Sequence, residues 1–234
     1  MDNKIYGLLL VSKPKGITSF EVIKEIRKNT QVYKIGHSGI LDKNATGLLV
    51  LGLGSMTKQL TSIQNFDKEY IFLMTFGLRT DTYDSLAHKW QFSNVRRNSI
   101  TSEMLEDVIK KKFTGVIDQD PPAFSSLKYN GIRSSDYALS GIIMPSKLRK
   151  ITIYKIEIID FIQNTFYPEA VCKIKCSKGT YIRSLCNDIG EIFKVGAIMS
   201  ELCRTSIGDY RLADAVTLKE IDSYAKLETL IMNK

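Results

Sequence analysis

Apolar and polar positions alternate along this chain in two rhythms. Tyr6 to Ser12 is a short apolar run closed by Lys13-Pro14-Lys15-Gly16, which predicts a strand and a turn. Phe20, Val22, Ile23 and Ile26 recur at helical spacing behind Thr18-Ser-Phe-Glu21. That spacing fits a capping box, so a helix is expected over Ser19–Lys28. Residues Lys34 to Gly47 (KIGHSGILDKNATG) are polar and glycine-punctuated and read as a loop. An apolar strand from Leu48 to Leu53, a short helix from Ser55 to Ile63 and a strand from Lys68 to Phe76 follow. A helix is expected over Glu103–Phe113 and, after the Pro121-Pro122 break, a strand over Phe124–Tyr129. Arg149–Phe161 and Glu169–Cys176 alternate with period two and form antiparallel candidates. Tyr181–Phe193 reads as a helix, and Leu218–Tyr224 as a last short one. Helices interspersed with long alternating strands predict an α+β fold with a mixed, largely antiparallel sheet flanked by helices.

Composition narrows the class. The 234 residues are 44% hydrophobic and 25% charged with mean hydropathy −0.09, values of a globular chain, and no apolar run approaches the ~20 residues of a membrane-spanning helix. A single domain over residues 1–234 and a cytoplasmic location are expected. The cysteines at 172, 176, 186 and 203 form no C-x-x-C pair and only two histidines occur, so no metal site is expected. Cys172 and Cys176, four apart on one strand, read as small core hydrophobes.

Charge is uneven. There are 33 Lys plus Arg against 25 Asp plus Glu, a formal net charge of +8. Residues 1–60 hold nine basic and four acidic side chains, as do residues 121–180, whereas the other two blocks are nearly balanced. Two basic blocks fit either a face for a polyanion or a solvated surface with uneven lysines, and charge alone does not separate the two.

The candidate chemistry lies in Gly36-His-Ser-Gly-Ile-Leu-Asp42-Lys-Asn-Ala-Thr-Gly47. A carboxylate in a glycine-punctuated loop anchored by a strand suits a nucleophile or a base, and equally a turn-capping aspartate. An Asp followed by Lys and then Thr-Gly is also similar to the phospho-aspartate loops of haloacid-dehalogenase-type phosphotransferases. Those need a magnesium site built from further aspartates, and none is evident after a downstream strand.

The catalytic-loop segment and five further segments in family order resemble the TruB family of pseudouridine synthases. KIGHSGILDKNATGLLVLGLGSMTK resembles its catalytic motif and Ser12-Lys-Pro-Lys-Gly-Ile-Thr-Ser19 its opening segment. Lys68-Glu-Tyr70 with Gly77-Leu-Arg-Thr-Asp-Thr82 resembles its second motif, and Gln119 to Gly131 its proline-containing strand. Ser177-Lys-Gly-Thr-Tyr-Ile-Arg183 and Leu202-Cys-Arg-Thr205 resemble its late segments. The resemblance implies isomerisation of uridine 55 in the tRNA T loop, the base being detached, rotated and rejoined through carbon 5.

By the same resemblance Asp42 is the catalytic aspartate, Arg183 the cation that keeps it ionised, and Tyr70 the aromatic that stacks on the flipped uracil. His37, Tyr181 and Leu202 form the rest of the nucleotide site. Lys15, Lys43, Lys128 and Arg149, with Lys34, Lys58, Arg133 and Lys150, become phosphate contacts that position the RNA. The implied partner is the T-stem loop of tRNA, met by a monomer without membrane, metal or organic cofactor. Ile40 and Lys43 depart from the family's small or hydroxyl residue and its proline. Only about twenty residues follow the last match, so the separate C-terminal RNA-binding domain of many bacterial members is expected to be missing. A tRNA-binding or tRNA-folding protein with dispensable catalysis is the alternative.

Overall fold

The structure, a computed structural model, describes residues 5–95, 99–125, 127–142, 148–163 and 166–232. In chain order its elements are β1 (Gly7–Lys13), α1 (Ser19–Thr30), β2 (Ile35–His37), β3 (Thr46–Leu53), a 3-10 turn Gly54–Gln59, α2 (Leu60–Gln64), β4 (Lys68–Phe76), β5 (Leu78–Thr80) and β6 (Trp90–Phe92). After these come α3 (Ser102–Lys112), β7 (Gly115–Gln119), β8 (Lys128–Tyr129), β9 (Ile132–Arg133), α4 (Ser134–Leu139), β10 (Arg149–Ile162), β11 (Glu169–Cys176) and α5 (Ile182–Ile192). The chain closes with β12 (Ala197–Ile207), β13 (Tyr210–Arg211), β14 (Val216–Thr217), a 3-10 turn Leu218–Glu220 and α6 (Tyr224–Leu230).

Two compact units emerge. The first holds residues 1–70 and 202–234, the second residues 71–201, and the chain passes between them inside β4 and inside β12.

In the first unit the strand order is β14-β1-β3-β12, with β2 also on β3. β1 runs antiparallel to β3 and parallel to β14, and β12 is parallel to β3 through Cys203↔Thr46 and Arg204↔Gly47. Both faces of β1 and β3 are covered. Leu9, Val11, Leu49 and Leu51 pack with Val22, Ile23 and Ile26 of α1, while Leu8, Leu10, Leu48 and Val50 pack with Met56, Ile63 and Ile207. That two-sided burial explains why both strands read as continuous apolar runs. α1 begins at the capping box expected from the sequence: the Thr18 hydroxyl accepts from the Glu21 N–H, and the Glu21 carboxylate accepts from the Thr18 N–H.

In the second unit the order is β4-β11-β10-β7, all antiparallel where β10 pairs with β11 and β7. Ile151 and Ile153 of β10 and Ala170, Cys172, Ile174 and Cys176 of β11 form the buried row, with Leu185, Cys186 and Ile189 of α5 also buried. The mixed sheet with flanking helices is as expected. The four cysteines are thiols rather than disulfides, and burial pushes the Cys172 thiol up to about 12, so it stays a packing group.

Several local expectations change. Of the strand expected over Phe124–Tyr129, Lys128–Tyr129 alone pairs among the described residues, in a two-stranded ribbon with β9, while Ser125 N–H turns back to the Ala123 carbonyl. The final helix is Tyr224–Leu230, with Leu218–Glu220 a 3-10 turn before it. The 34–47 loop contains a strand, Ile35–His37, and β5, β6, β7, α4 and β12 were not anticipated. No helix among the described residues is long and apolar enough to cross a membrane.

Candidate active site

Asp42 sits in residues 38–45, the loop of the β2–β3 hairpin. Its neighbours fix it. Leu41 and Ala45 are buried, Asp42 is half-buried and Lys43 is exposed, so the loop anchors itself on apolar feet to either side of the carboxylate. The Ser19 hydroxyl at the start of α1 accepts from the Leu41 N–H at 2.9 Å and donates to the Leu41 carbonyl at 3.3 Å. The Ala45 N–H donates back to the Asp42 carbonyl at 3.0 Å, and the Gly16 N–H to the Lys43 carbonyl at 2.9 Å, which ties Lys15 and Lys43, both exposed, to adjoining loops.

At the far end of the loop, Gly47 has φ +103°, and a Cβ there would lie 2.3 Å from the Arg204 carbonyl oxygen. Glycine is required both for that backbone conformation and for the close approach of β12. Leu202 is buried one turn of the pleat earlier, its carbonyl accepting from the Thr46 hydroxyl at 3.3 Å.

Two buried cations that sequence reasoning did not single out back this loop. Arg204 is 2% exposed and hydrogen-bonds backbone carbonyls, while burial lowers its pKa and the Tyr70 phenol opposes that shift. Lys13 is 1% exposed and donates to the carbonyls of Pro14 and Ile17 at 2.9 and 2.6 Å, holding the 14–17 turn. Burial lowers the Lys13 ammonium to about 8, the Asp42 carboxylate opposing the shift and the Arg204 cation adding to it. His37, on β2, is half-buried. Burial and then the Arg204 cation lower its pKa, and its Nδ1 is buried without a hydrogen-bond partner among the described residues. A neutral imidazole suits the binding role expected of it.

The second unit holds Tyr181 and Arg183. Tyr181 is the N-cap of α5, and its backbone is gripped by the Gln119 side chain: Gln119 Nε2 donates to the Tyr181 carbonyl at 3.0 Å, and the Tyr181 N–H donates to Gln119 Oε1 at 2.8 Å. The Ser184 hydroxyl donates to the Asp120 carbonyl at 2.7 Å, so the end of β7 is stapled to the start of α5. Arg183, 6% exposed, donates to the Thr82 and Phe124 carbonyls at 3.0 and 3.1 Å, and its Nε lies 3.8 Å from Asp84 Oδ2. Asp84 is itself held by the Thr82 hydroxyl at 2.7 Å and the Leu86 N–H at 2.9 Å.

Asp84 and Gln119 were also missed, although both lie in or beside quoted segments. The signal was present as an acid two residues beyond Thr-Asp-Thr82 and an amide just before the double proline. Arg149 opens β10 half-buried and Lys128 lies on β8, its side chain and that of Arg133 lying outside the described residues. Among the described residues no cluster of His, Cys, Asp and Glu could hold a metal ion.

Comparison with known proteins gives the family. The family described as TruB family pseudouridylate synthase (N terminal domain) matches residues 27–182, and tRNA pseudouridylate synthase B C-terminal domain matches residues 183–232. A tRNA pseudouridine synthase B of Clostridium kluyveri is 38% identical over 226 residues, covering 96% of this chain and 75% of the relative. One of Endomicrobium trichonymphae is 37% identical over 227 residues, covering 96% of this chain and 95% of the relative. Among solved structures, a Cbf5-Nop10-Gar1 complex aligns with a TM-score of 0.71 at 26% identity over 97% of this chain, which spans 59% of that one. The chain therefore belongs to the TruB family of pseudouridylate synthases, the isomerases that convert uridine to pseudouridine in tRNA.

Proposed function

We propose that this protein isomerises uridine 55 in the T loop of tRNA, with Asp42 acting on a flipped-out nucleotide. The observation that carries the reading is the Asp42 loop itself. Its backbone on either side of the carboxylate is held by hydrogen bonds with α1, with the 14–17 turn and with β12, the preorganisation a reacting group requires. The Endomicrobium trichonymphae relative, which this chain spans almost entirely, bears the name of a tRNA pseudouridine synthase, so a chain of this extent is compatible with that activity.

In this reading Tyr70 stacks on the uracil and replaces part of the stacking lost on flipping, a contact worth about 1–3 kcal/mol per base. Arg183 supplies the guanidinium that keeps the Asp42 carboxylate ionised, since it stays charged and donates in a fork. His37, Tyr181 and Leu202 bound the nucleotide, and Lys15, Lys43, Lys128 and Arg149 meet phosphates. The reaction is a rearrangement with no net redox or hydrolytic change, so neither metal nor organic cofactor is called for, and the protein works as a cytoplasmic monomer.

Incubation with unmodified tRNA transcript, followed by pseudouridine mapping, tests the reading. Product at the T-loop uridine, lost with Asp42→Ala, supports it. An RNA-folding activity that survives Asp42→Asn while no pseudouridine forms would favour the binding-protein alternative.

A further inference from the structure

Arg204 is the largest fully buried side chain among the described residues, and its hydrogen-bond partners are all neutral. Its Nε donates to the Leu48 carbonyl at 2.8 Å, its Nη2 to the Gly39 carbonyl at 3.2 Å and its Nη1 to the Ile40 carbonyl at 3.5 Å, and the Tyr70 phenol favours its charged form. Those carbonyls come from two stretches of chain. Gly39 and Ile40 lie just before Asp42 and Leu48 lies after the loop has joined β3, so one guanidinium grips both ends of the Asp42 loop.

Packing alone would be served as well by an apolar side chain of similar volume, because burying a guanidinium without a carboxylate partner is costly. What an apolar residue could not supply is the planar set of donors that reaches several acceptors at once. The side chain that favours its charge is the phenol expected to face the uracil.

We propose that Arg204 is a positioning residue for pseudouridine formation, fixing the Asp42 loop and the Tyr70 hydroxyl relative to each other through one buried cation. The proposal rests on Asp42 and Tyr70 being the groups that act on the base. Arg204 touches no substrate in this scheme; it acts through the loop carbonyls and through Tyr70. Misplacing reacting groups by about 1 Å is enough to slow a reaction on the order of 100-fold while leaving the rest of the binding surface intact.

The experiment is a double-mutant cycle read in single turnovers on a T-stem-loop RNA. Arg204→Lys keeps the charge and removes the fork. It is expected to slow pseudouridine formation about 100-fold, with RNA affinity within about threefold of wild type and a cooperative thermal transition retained. In a Tyr70→Phe background the same substitution is expected to cost only about tenfold, because the hydroxyl partner is already gone. A wild-type rate for Arg204→Lys, equal losses in both backgrounds, or a rate loss explained by weaker RNA binding would overturn the proposal.

Should Arg204→Lys fail to fold, the coupling is read in folded proteins. The Arg204 guanidinium N–H resonances of the parent should shift in Tyr70→Phe, and unchanged resonances would overturn it. A wild-type protein that makes no pseudouridine, or Asp42→Asn at the wild-type rate, defeats the functional reading and this proposal together. An inert Asp42→Asn beside a fully active Arg204→Lys defeats the positioning role alone.

Discussion

Arg204 in the first unit and Arg183 in the second are both arginines buried to within a few per cent, yet they are held in opposite ways. Arg204 rests on backbone carbonyls and a phenol, with the Lys13 ammonium as a second buried cation whose charge opposes its own. Arg183 rests on two carbonyls and on the Asp84 carboxylate, in a unit that also half-buries Asp188. The first unit thus concentrates positive charge behind the Asp42 loop, and the second carries a buried carboxylate, Asp84, at its arginine and a half-buried one, Asp188, beyond it. A buried cation without a counter-ion favours an anion arriving beside it, whereas one already matched by a carboxylate is a structural joint as well as a charge.

Removing a cation from each unit should break this comparison most visibly. Arg183→Met leaves Asp84 buried at 5% exposure without its guanidinium, and a loss of about 3 kcal/mol in urea unfolding is expected. Adding Asp84→Asn should recover part of that loss; no recovery would show that the 3.8 Å pair contributes nothing and that the carbonyl bonds carry Arg183. Gly47→Ala attacks the Arg204 side through the backbone instead. With φ at +103° and the Arg204 carbonyl 2.3 Å from the new Cβ, it should cost about 2 kcal/mol or more, seen as a lower thermal midpoint.

The two units should also answer pH with opposite signs. Burial lowers Lys13 to about 8 in the folded protein, from an ordinary value of 10.5. Between those values the unfolded chain holds a proton that the folded one has released, so rising pH favours folding. Wild type should therefore gain stability relative to Lys13→Met as pH climbs from 8 to 10.5. Burial, reinforced by Asp120 and Glu191, raises Asp188 to about 6 from 3.8. There the folded state keeps the proton that the unfolded chain has lost, so wild type should lose stability relative to Asp188→Asn as pH rises from about 4 to 6. Parallel curves for either pair would show that the group is not buried as described. The smallest effect is Thr18→Ala, which removes the cap of α1 and should cost about 1 kcal/mol in thermal unfolding without disturbing the second unit.

Most local signals in the sequence told true, and long-range ones were silent. Thr18 and Glu21 announce α1 because both partners of the capping box lie within four residues. The alternation of β10 and β11 shows because one face of each is buried. Phe124–Tyr129 misled because an apolar, aromatic-bearing run imitates a strand, while here the backbone turns and gives its Phe124 carbonyl to Arg183. Strand β12 went unseen since its pairing with β3 joins residues more than 150 positions apart and its own sequence, Ala197 to Ile207, mixes buried Ser and Arg with apolar residues.

The site divides along the same line. Asp42, Tyr70, His37 and Arg183 came from the family resemblance. Lys13, Asp84, Gln119 and Arg204 stayed invisible because what marks them is burial and partners distant in the chain. Arg204 meets Leu48 across 156 positions and Gly39 across 165, and no spacing rule spans such gaps.

The most direct test is a time course of pseudouridine at position 55 of an unmodified tRNA transcript, run with wild type and with Asp42→Asn in parallel. The account predicts conversion approaching one pseudouridine per tRNA with wild type and a rate at least about 1,000-fold lower with Asp42→Asn, a difference of roughly 4 kcal/mol in barrier. Equal rates for the two proteins, or no pseudouridine at that position with wild type, would contradict it.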